Sequence, residues 1–426
     1  MDKYLKRCID TRLKDKLDSS GAVWIKGPKW CGKSTTAEQV ANSFVYMQSR
    51  KERDQNIALA KNAPELFLSG KTPKLIDEWQ VIPFIWDDIR FEIDQRDAFG
   101  QFILTGSASP LNSQEEQEMQ HSGVGRISTI VMRPMSLFES LDSNGAISLN
   151  SLFKGEKVAP AVCNKKLIDY AQYACRGGWP KSVGMSEKVS IEIARNYYDG
   201  LVENDIKSVD GVSRDIDKLK AFMRSYARNI STECSIQTIV NDIKGYDNKI
   251  VSDETVRNYI KALEKLYVIE DIKAWSPNLR SKTTIRTSPT RHFIDPSIAC
   301  RALGAYKEDL INDLKTFGLI FEDMAVRDLK IYADKLYGDV YHYRDKNGLE
   351  IDAIIHLDNG KWAAFEIKLH DSDRIEEGAI NLLKFASLID EQKMKKPEFL
   401  MVITATEYAY QREDGVWIVP LACLKD

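Results

Sequence analysis

The stretch AVWIKGPKWCGKSTTAEQ, residues 22–39, decides the fold of the N-terminal part of the chain. Within it, GPKWCGKST (27–35) fits the pattern GxxxxGK[ST], follows the apolar run AVWI (22–25) and precedes a helix-forming segment. That strand–loop–helix context is what a phosphate-cradling loop requires. Successive backbone N–H groups of such a loop point inward at phosphate oxygens, and the helix that follows adds the favourable end of its dipole. Gly27 and Gly32 let the backbone turn tightly, with Pro28, Lys29, Trp30 and Cys31 between them. Lys33 is placed to reach the β- and γ-phosphates and Ser34 to ligate Mg²⁺, with Thr35 beside it. The expected ligands are therefore ATP and Mg²⁺.

Outward from this loop, short apolar runs recur at FVYM (44–47), KLID (74–77), FILT (102–105) and ISTIVM (127–132). Runs of this length separated by helix-sized intervals predict a buried parallel sheet with crossover helices. The run KLID ends in Asp77–Glu78, and acids at the carboxyl end of such a strand face the ligand side of the sheet. Asp77 is the expected Mg²⁺ partner and Glu78 the residue that polarises the attacking water. FILTGSAS (102–109) ends in Thr105, Gly106 and Ser107, where a hydroxyl such as that of Thr105 can sense the γ-phosphate. Arg126, just before the last run, is read either as an arginine finger toward a neighbouring subunit of a homo-oligomer or as an internal sensor.

The 426 residues suggest about three domains at roughly 100–200 residues each. The composition, 43% hydrophobic and 29% charged, is that of an ordinary globular protein, and a net charge of -3 supplies no global field for nucleic acid, so a basic patch must be local. Seven scattered cysteines without a CxxC pair argue against zinc sites and a disulfide framework. A charged N-terminus without an apolar core and the lack of a membrane-length apolar run predict a soluble cytoplasmic protein that does not engage a membrane.

The C-terminal part reads as a distinct α/β unit. A helix over 315–336 precedes strands at 339–344, 349–357 and 361–369, followed by a second helix and the strand EFLMVIT. Asp352 lies in LEIDAIIHL; Glu366 and Lys368 lie in AFEIKL, two apart and so on one face of a strand. A hairpin brings Asp352 beside them. This is the D…ExK arrangement of metal-dependent nucleases: Asp352 and Glu366, with Glu322 from the preceding helix, would offer oxygen ligands to Mg²⁺, and Lys368 would orient water or stabilise charge on a scissile phosphate. The alternative is a retained fold without the chemistry.

Between these parts, VSDETVRNYIKALEKLYVIEDIKAW (251–275) predicts a helix capped by Ser252 or Asp253, with Tyr259, Leu263 and Leu266 on its apolar face, then a strand. The basic stretch 278–292, with Arg280, Lys282, Arg286 and Arg291, completes the pattern of a winged helix, and Arg257, Lys261 and Lys265 line the helix's polar face. Contact with DNA and contact with protein both fit this element.

Together, GPKWCGKST, LIDEWQ, FILTGS, the GR…RPMSLFE segment (125–139), RGGWP (176–180), TVRNYIKALEKLYVIED (255–271), HFIDPSIA (292–299) and the D…EIK pair give the chain, over nearly its whole length, a resemblance to a large prokaryotic family of AAA-type ATPases. These pair an N-terminal AAA domain with a C-terminal domain of unknown function similar to PD-(D/E)xK nuclease folds. The resemblance implies phosphate and Mg²⁺ binding by Gly27, Gly32, Lys33 and Ser34, a Walker B pair at Asp77–Glu78, the family's GR position at Arg126, and a nuclease-like motif at Asp352, Glu366 and Lys368. Trp30–Cys31 departs from the smaller residues usual in the loop, and Cys31 there predicts sensitivity to oxidation.

The expected fold is α/β: an N-terminal P-loop NTPase domain with an AAA-type parallel sheet (1–145), a helical connector (146–216), a winged-helix-like region (217–305) and a C-terminal restriction-endonuclease-like α/β domain (306–426). Two functions fit. One is an ATP-hydrolysing protein that acts on DNA through its C-terminal domain. The other is an ATP-dependent switch that binds a protein partner, with that domain as scaffolding.

Overall fold

All five N-terminal apolar runs form strands: β1 Ala22–Lys26, β2 Ser43–Tyr46, β3 Lys74–Asp77, β4 Phe102–Thr105 and β5 Ile127–Val131. The computed structural model describes residues 4–106, 123–206, 215–247, 251–277, 288–392 and 394–426. Two compact units divide the chain: the first is Met1–Pro134, Asn204–Ser213 and Ala262–Tyr267, the second Met135–Glu203, Arg214–Lys261 and Val268–Asp426.

In the first unit the sheet order is β2-β3-β4-β1-β5, and every pairing is parallel. The central strands are apolar throughout because both faces are covered. Val23, Ile25, Leu75 and Ile103 pack on one side with Ile9, Leu13 and Leu17 of helix Ile9–Leu17, whose apolar residues recur every fourth position. Trp24, Ile76, Phe102 and Leu104 pack on the other with Ile85, Trp86, Ile89 and Ile93 of helix Ile85–Arg96. On that side Trp24, Trp79 and Trp86 form a cluster with ring centroids 5.0, 5.8 and 5.1 Å apart. The edge strand β2 alternates instead, leaving Phe44 and Tyr46 exposed.

The second unit carries a seven-stranded sheet. Its strands are β6 Ala161–Val162, β7 Gly338–Arg344, β8 Glu350–Leu357, β9 Trp362–Ile367, β10 Leu400–Thr404, β11 Tyr408–Gln411 and β12 Trp417–Pro420, in the order β6-β11-β12-β10-β9-β8-β7. β7, β8 and β9 are antiparallel neighbours, as the sequence predicts, and β9 then pairs in parallel with β10. The last strands, β11 and β12, go beyond the sequence reading. Helix Ser372–Ser387 covers one face through Ala379, Leu382 and Phe385. Each fully buried side chain of this size contributes roughly 1.5–3 kcal/mol.

Two motifs of the resemblance, RGGWP and HFIDPSIA, meet in one buried charge network. Asp295 caps helix Pro296–Leu303 by accepting from Ser297 N, with Pro296 at the first helical position, where its missing N–H costs nothing. Its other oxygen accepts from Gly178 N at 2.8 Å and from Arg327 Nη1 at 2.9 Å. Arg327 also binds Asp328 at 2.7 Å, and Asp328 accepts from Leu137 N. A Cβ on Gly177 would lie 2.3 Å from Asp295 Oδ1, and one on Gly178 2.1 Å from the Met135 carbonyl oxygen, so both glycines are dictated by space.

The middle region has helices Ile216–Arg228, Ile236–Asp247 and Asp253–Lys265. Ser252 Oγ accepts from Thr255 N, so Ser252 caps the third helix, and Tyr259, Leu263 and Leu266 are buried. Arg257, Lys261 and Lys265 are exposed. The expected strand after it appears only as isolated bridges, Ile269 with Phe293 and Ile272 with Thr290. Arg280, Lys282 and Arg286 lie outside the described residues. Arg291, the one residue of the basic set that is described, does not offer its charge to a wing. It is buried, bound to Asp271 at 2.5 Å and donating to the Cys234 carbonyl, which makes it a structural residue.

Candidate functional site

β1 delivers the loop 27–32 to helix Lys33–Glu38, with Gly32 in the left-handed region at its N-cap. Gly27 has φ 146°, and a Cβ there would lie 2.1 Å from the Met132 carbonyl oxygen. No other residue fits without moving the backbone after β5. Lys33 is buried and its Nζ donates to the Gly27 and Pro28 carbonyls at 3.0 and 2.7 Å, so the ammonium is held inside the loop's curve. Lys29 Nζ lies 2.6 Å from Asp205, while Trp30, with φ 65°, is 55% exposed.

The carboxyl ends of β3 and β4 complete the site. Asp77 Oδ1 accepts from Ser34 Oγ at 2.6 Å and from Thr105 Oγ1 at 2.5 Å. Two hydroxyls and a carboxylate converge with no ammonium among them. That donor chemistry, all hard oxygen, fits Mg²⁺. Thr35 is exposed, so of the two adjacent hydroxyl residues it is Ser34 that reaches Asp77. Glu78 follows in the left-handed region at φ 55°, a strained position for a residue with a Cβ. Its carboxylate accepts from Gln80 Nε2. Ser107 lies outside the described residues.

Two residues of this site were not singled out from the sequence. Gln80 fixes Glu78, and Gly106 leaves it room, since a Cβ there would lie 2.3 Å from Gln80 Oε1. Arg7, only 6% exposed, donates to the Cys31 carbonyl at 2.9 Å and to the Arg133 carbonyl at 2.8 Å, bracing the loop from the N-terminal side. An arginine before a helix carries no motif, whereas Gln80 within LIDEWQ was adjacent to a recognised pair.

Two expectations are corrected. Arg126 lies at the amino end of β5, where its carbonyl accepts from Ala22 N, and its Nε binds Asp94 at 2.7 Å. The phosphate loop leaves the opposite end of β1, about 15 Å away at ~3.3 Å per residue. The internal-sensor role is therefore excluded by geometry. Cys31 is fully buried and packs against Gly27, which removes the exposure that oxidation requires.

In the second unit the acidic cluster assembles as the sequence predicts. Asp352 Oδ2 accepts from Ile367 N at 2.7 Å and from Lys368 Nζ at 2.9 Å, and Lys368 Nζ lies 2.5 Å from Glu366 Oε2. Helix Ser372–Ser387 approaches closely at Gly378, where a Cβ would sit 3.2 Å from Glu366 Cβ. Burial, reinforced by the Asp352 charge, raises both Glu366 and the partly exposed Glu322 well above the usual carboxylate range. Burial disfavours the Lys368 ammonium, but the charges of Asp352 and Glu366 outweigh it and hold its pKa up.

The metal-ligand expectation for Glu322, Asp352 and Glu366 does not fit this arrangement. The ammonium of Lys368 is already paired with both Asp352 and Glu366, and among the described residues no three His, Cys, Asp or Glu side chains are placed to hold a metal ion. Among the described residues, no helix is long and apolar enough to cross a membrane.

Residues 19–141 match the AAA domain family, 167–309 a domain of unknown function (DUF8612), and 317–424 a domain of unknown function (DUF4143). An uncharacterized protein of Mycobacterium tuberculosis is 22% identical over 417 residues, 97% of this chain and 83% of that protein. An uncharacterized protein of Haemophilus influenzae is 23% identical over 338 residues, 78% of this chain and 76% of the other. Among solved structures, the Walker-type ATPase PABY2304 of Pyrococcus abyssi is similar at 12% identity and a TM-score of 0.41, over 71% of this chain and 96% of that one. The Aeropyrum pernix Orc1 protein, solved in complex with DNA, is similar at 14% identity and a TM-score of 0.25, over 74% and 95%. The N-terminal part of this chain, which carries the phosphate loop, Asp77 and Thr105 on one parallel sheet, is thus the part that matches the AAA domain family.

Proposed function

We propose that the chain binds and hydrolyses ATP with Mg²⁺. The observation that carries this reading is the convergence of Ser34, Asp77 and Thr105 beneath a loop that buries Lys33. Loop N–H groups and Lys33 hold the phosphates, and Glu78, kept in place by Gln80, orients and polarises the attacking water. Mg²⁺, when bound beside Ser34 and Asp77, neutralises charge on the β- and γ-phosphate oxygens. Arg126, exposed at the far end of the sheet, is available to a neighbouring subunit. Lys33→Ala is expected to lower ATP turnover by on the order of 10²–10³-fold with unchanged circular dichroism. Turnover equal to the parent's would overturn the assignment.

The ATP cycle serves a switch whose partner is a protein, with the second unit as scaffold; the carboxylates already paired with Lys368 favour this role. A second reading, action on DNA, draws on the convergence of Glu322, Asp352, Glu366 and Lys368 and on the exposed Arg257, Lys261 and Lys265 of a winged-helix-like region. Plasmid cleavage with Mg²⁺ or Mn²⁺, lost in Asp352→Ala, would establish the second reading. Steeply salt-dependent DNA binding without cleavage would keep DNA as partner only.

A further inference from the structure

The sequence scatters seven cysteines, yet the fold of the second unit brings four of them into two pairs, Cys163 with Cys423 and Cys175 with Cys300, all as free thiols. The two pairs differ in surroundings. All four are buried, and the Cys300 thiol is pushed well above its ordinary value by its hydrogen bond to Cys175 and by burial. Cys163 borders a surface cleft of about 280 Å³, lined also by Asn144, Asn164, Lys165 and Ala422.

Three donors converge on the Cys163 sulfur. Lys165 N–H donates to Sγ at 3.4 Å. Tyr170 Oη lies 3.5 Å away and accepts from Ala422 N–H at 3.3 Å, which leaves its own proton for the sulfur. Cys423, next along the chain from Ala422, hydrogen-bonds to Cys163 through its thiol. An S–H, an O–H and an N–H aimed at one sulfur stabilise its anion. The Cys423 bond, ahead of the Tyr170 and Lys165 contributions, holds the Cys163 thiol below its ordinary value against the opposing effect of burial, and the same contact raises Cys423. Cys163 is 2% exposed, at the wall of this cleft.

We propose that Cys163 is a peroxide-reactive thiolate and that Cys423 resolves its oxidised form as an intramolecular disulfide. The Cys163 sulfur attacks one oxygen of hydrogen peroxide; an S–O bond forms, the O–O bond breaks, and the departing hydroxide takes a proton to become water. The Cys423 sulfur then attacks the Cys163 sulfenic acid; the S–S bond forms, the S–O bond breaks, and a second water leaves with the Cys423 proton. Two thiols give up two electrons and one peroxide is reduced to two waters. The bond ties the C-terminal segment, whose Leu424–Lys425 pairs with Ile147–Ser148, to β6 and its flank.

The test treats the full-length native protein with hydrogen peroxide and reads intact mass and peptide linkage. The expected result is loss of two hydrogens, a Cys163–Cys423 link reversed by dithiothreitol, and Cys175 and Cys300 left as thiols. In Cys423→Ser, dimedone should label Cys163; in Cys163→Ser, Cys423 should remain unmodified. A native protein that keeps all its thiols under peroxide, a link between other cysteines, or dimedone labelling elsewhere in Cys423→Ser would overturn the proposal. The wild-type measurement decides even where a variant fails to fold.

Discussion

The two carboxylate clusters of this chain use similar residues in opposite ways. At the phosphate loop, Asp77 is met by the hydroxyls of Ser34 and Thr105, while the nearby lysine rests on backbone carbonyls. In the second unit, Asp352 and Glu366 are met by the ammonium of Lys368. Hydroxyls orient a carboxylate without cancelling its charge; an ammonium cancels it. The first cluster thus keeps its carboxylate charge open, whereas the second pairs two carboxylates with one internal cation.

The most forceful way to break this contrast is to remove each lysine's charge. Lys368→Met leaves the buried Glu366 and the half-buried Asp352 uncompensated and is expected to lower stability by about 3 kcal/mol in urea denaturation. Lys33→Met, which removes only hydrogen bonds to carbonyls, should cost about 1 kcal/mol. Equal losses would erase the distinction. A middle-sized effect sharpens it chemically: Glu78→Gln should bind ATP but hydrolyse it on the order of 10²-fold more slowly, whereas Glu366→Gln should leave ATP turnover unaltered. A steady-state assay showing both variants equally slow would place catalysis outside the first cluster.

The smallest effect is acid sensitivity. The described histidines His292, His342, His356 and His370 all belong to the second unit. Burial pushes His292 down to about 3 and His342 down to about 4. A folded-state pKa below the ordinary value of about 6.5 means that stability is intact above that pH and is lost as pH falls through the window toward 4. Acid should therefore loosen the second unit before the first, with His342→Phe reducing the slope, by about 2 kcal/mol in total. Hydrogen exchange at pH 7 and pH 5 would reveal the order, and earlier opening of the β1–β5 sheet would contradict it.

How much was legible depended on whether a residue's neighbours are local in sequence. The phosphate loop, the acids ending β3 and the hydroxyl ending β4 follow directly from strand runs, because in a parallel sheet the carboxyl ends line up by construction. Glu366 and Lys368 share a face by the two-residue period of a strand. Arg7 was not legible, since its partners Cys31 and Arg133 are brought to it only by packing. The same holds for the cysteine pairs, whose members lie 125 or more positions apart. Arg126 was located before β5 from the sequence, but its distance from the phosphate loop follows only from the parallel register of β5 against β1. Arg291 was counted with the basic stretch because its acid, Asp271, stands on another segment.

The indole cluster of Trp24, Trp79 and Trp86 gives the first unit an optical consequence. Its three rings, buried and within 6 Å of one another, share excitation and emit from an apolar environment. Trp30, at the tip of the loop and largely in water, emits from a polar one. The first unit therefore carries two spectrally separate kinds of fluorophore, one anchored beside Glu78 and one riding on the loop itself, so a nucleotide's arrival is readable as a change in the Trp30 component above the emission of Trp179, Trp275, Trp362 and Trp417 of the second unit.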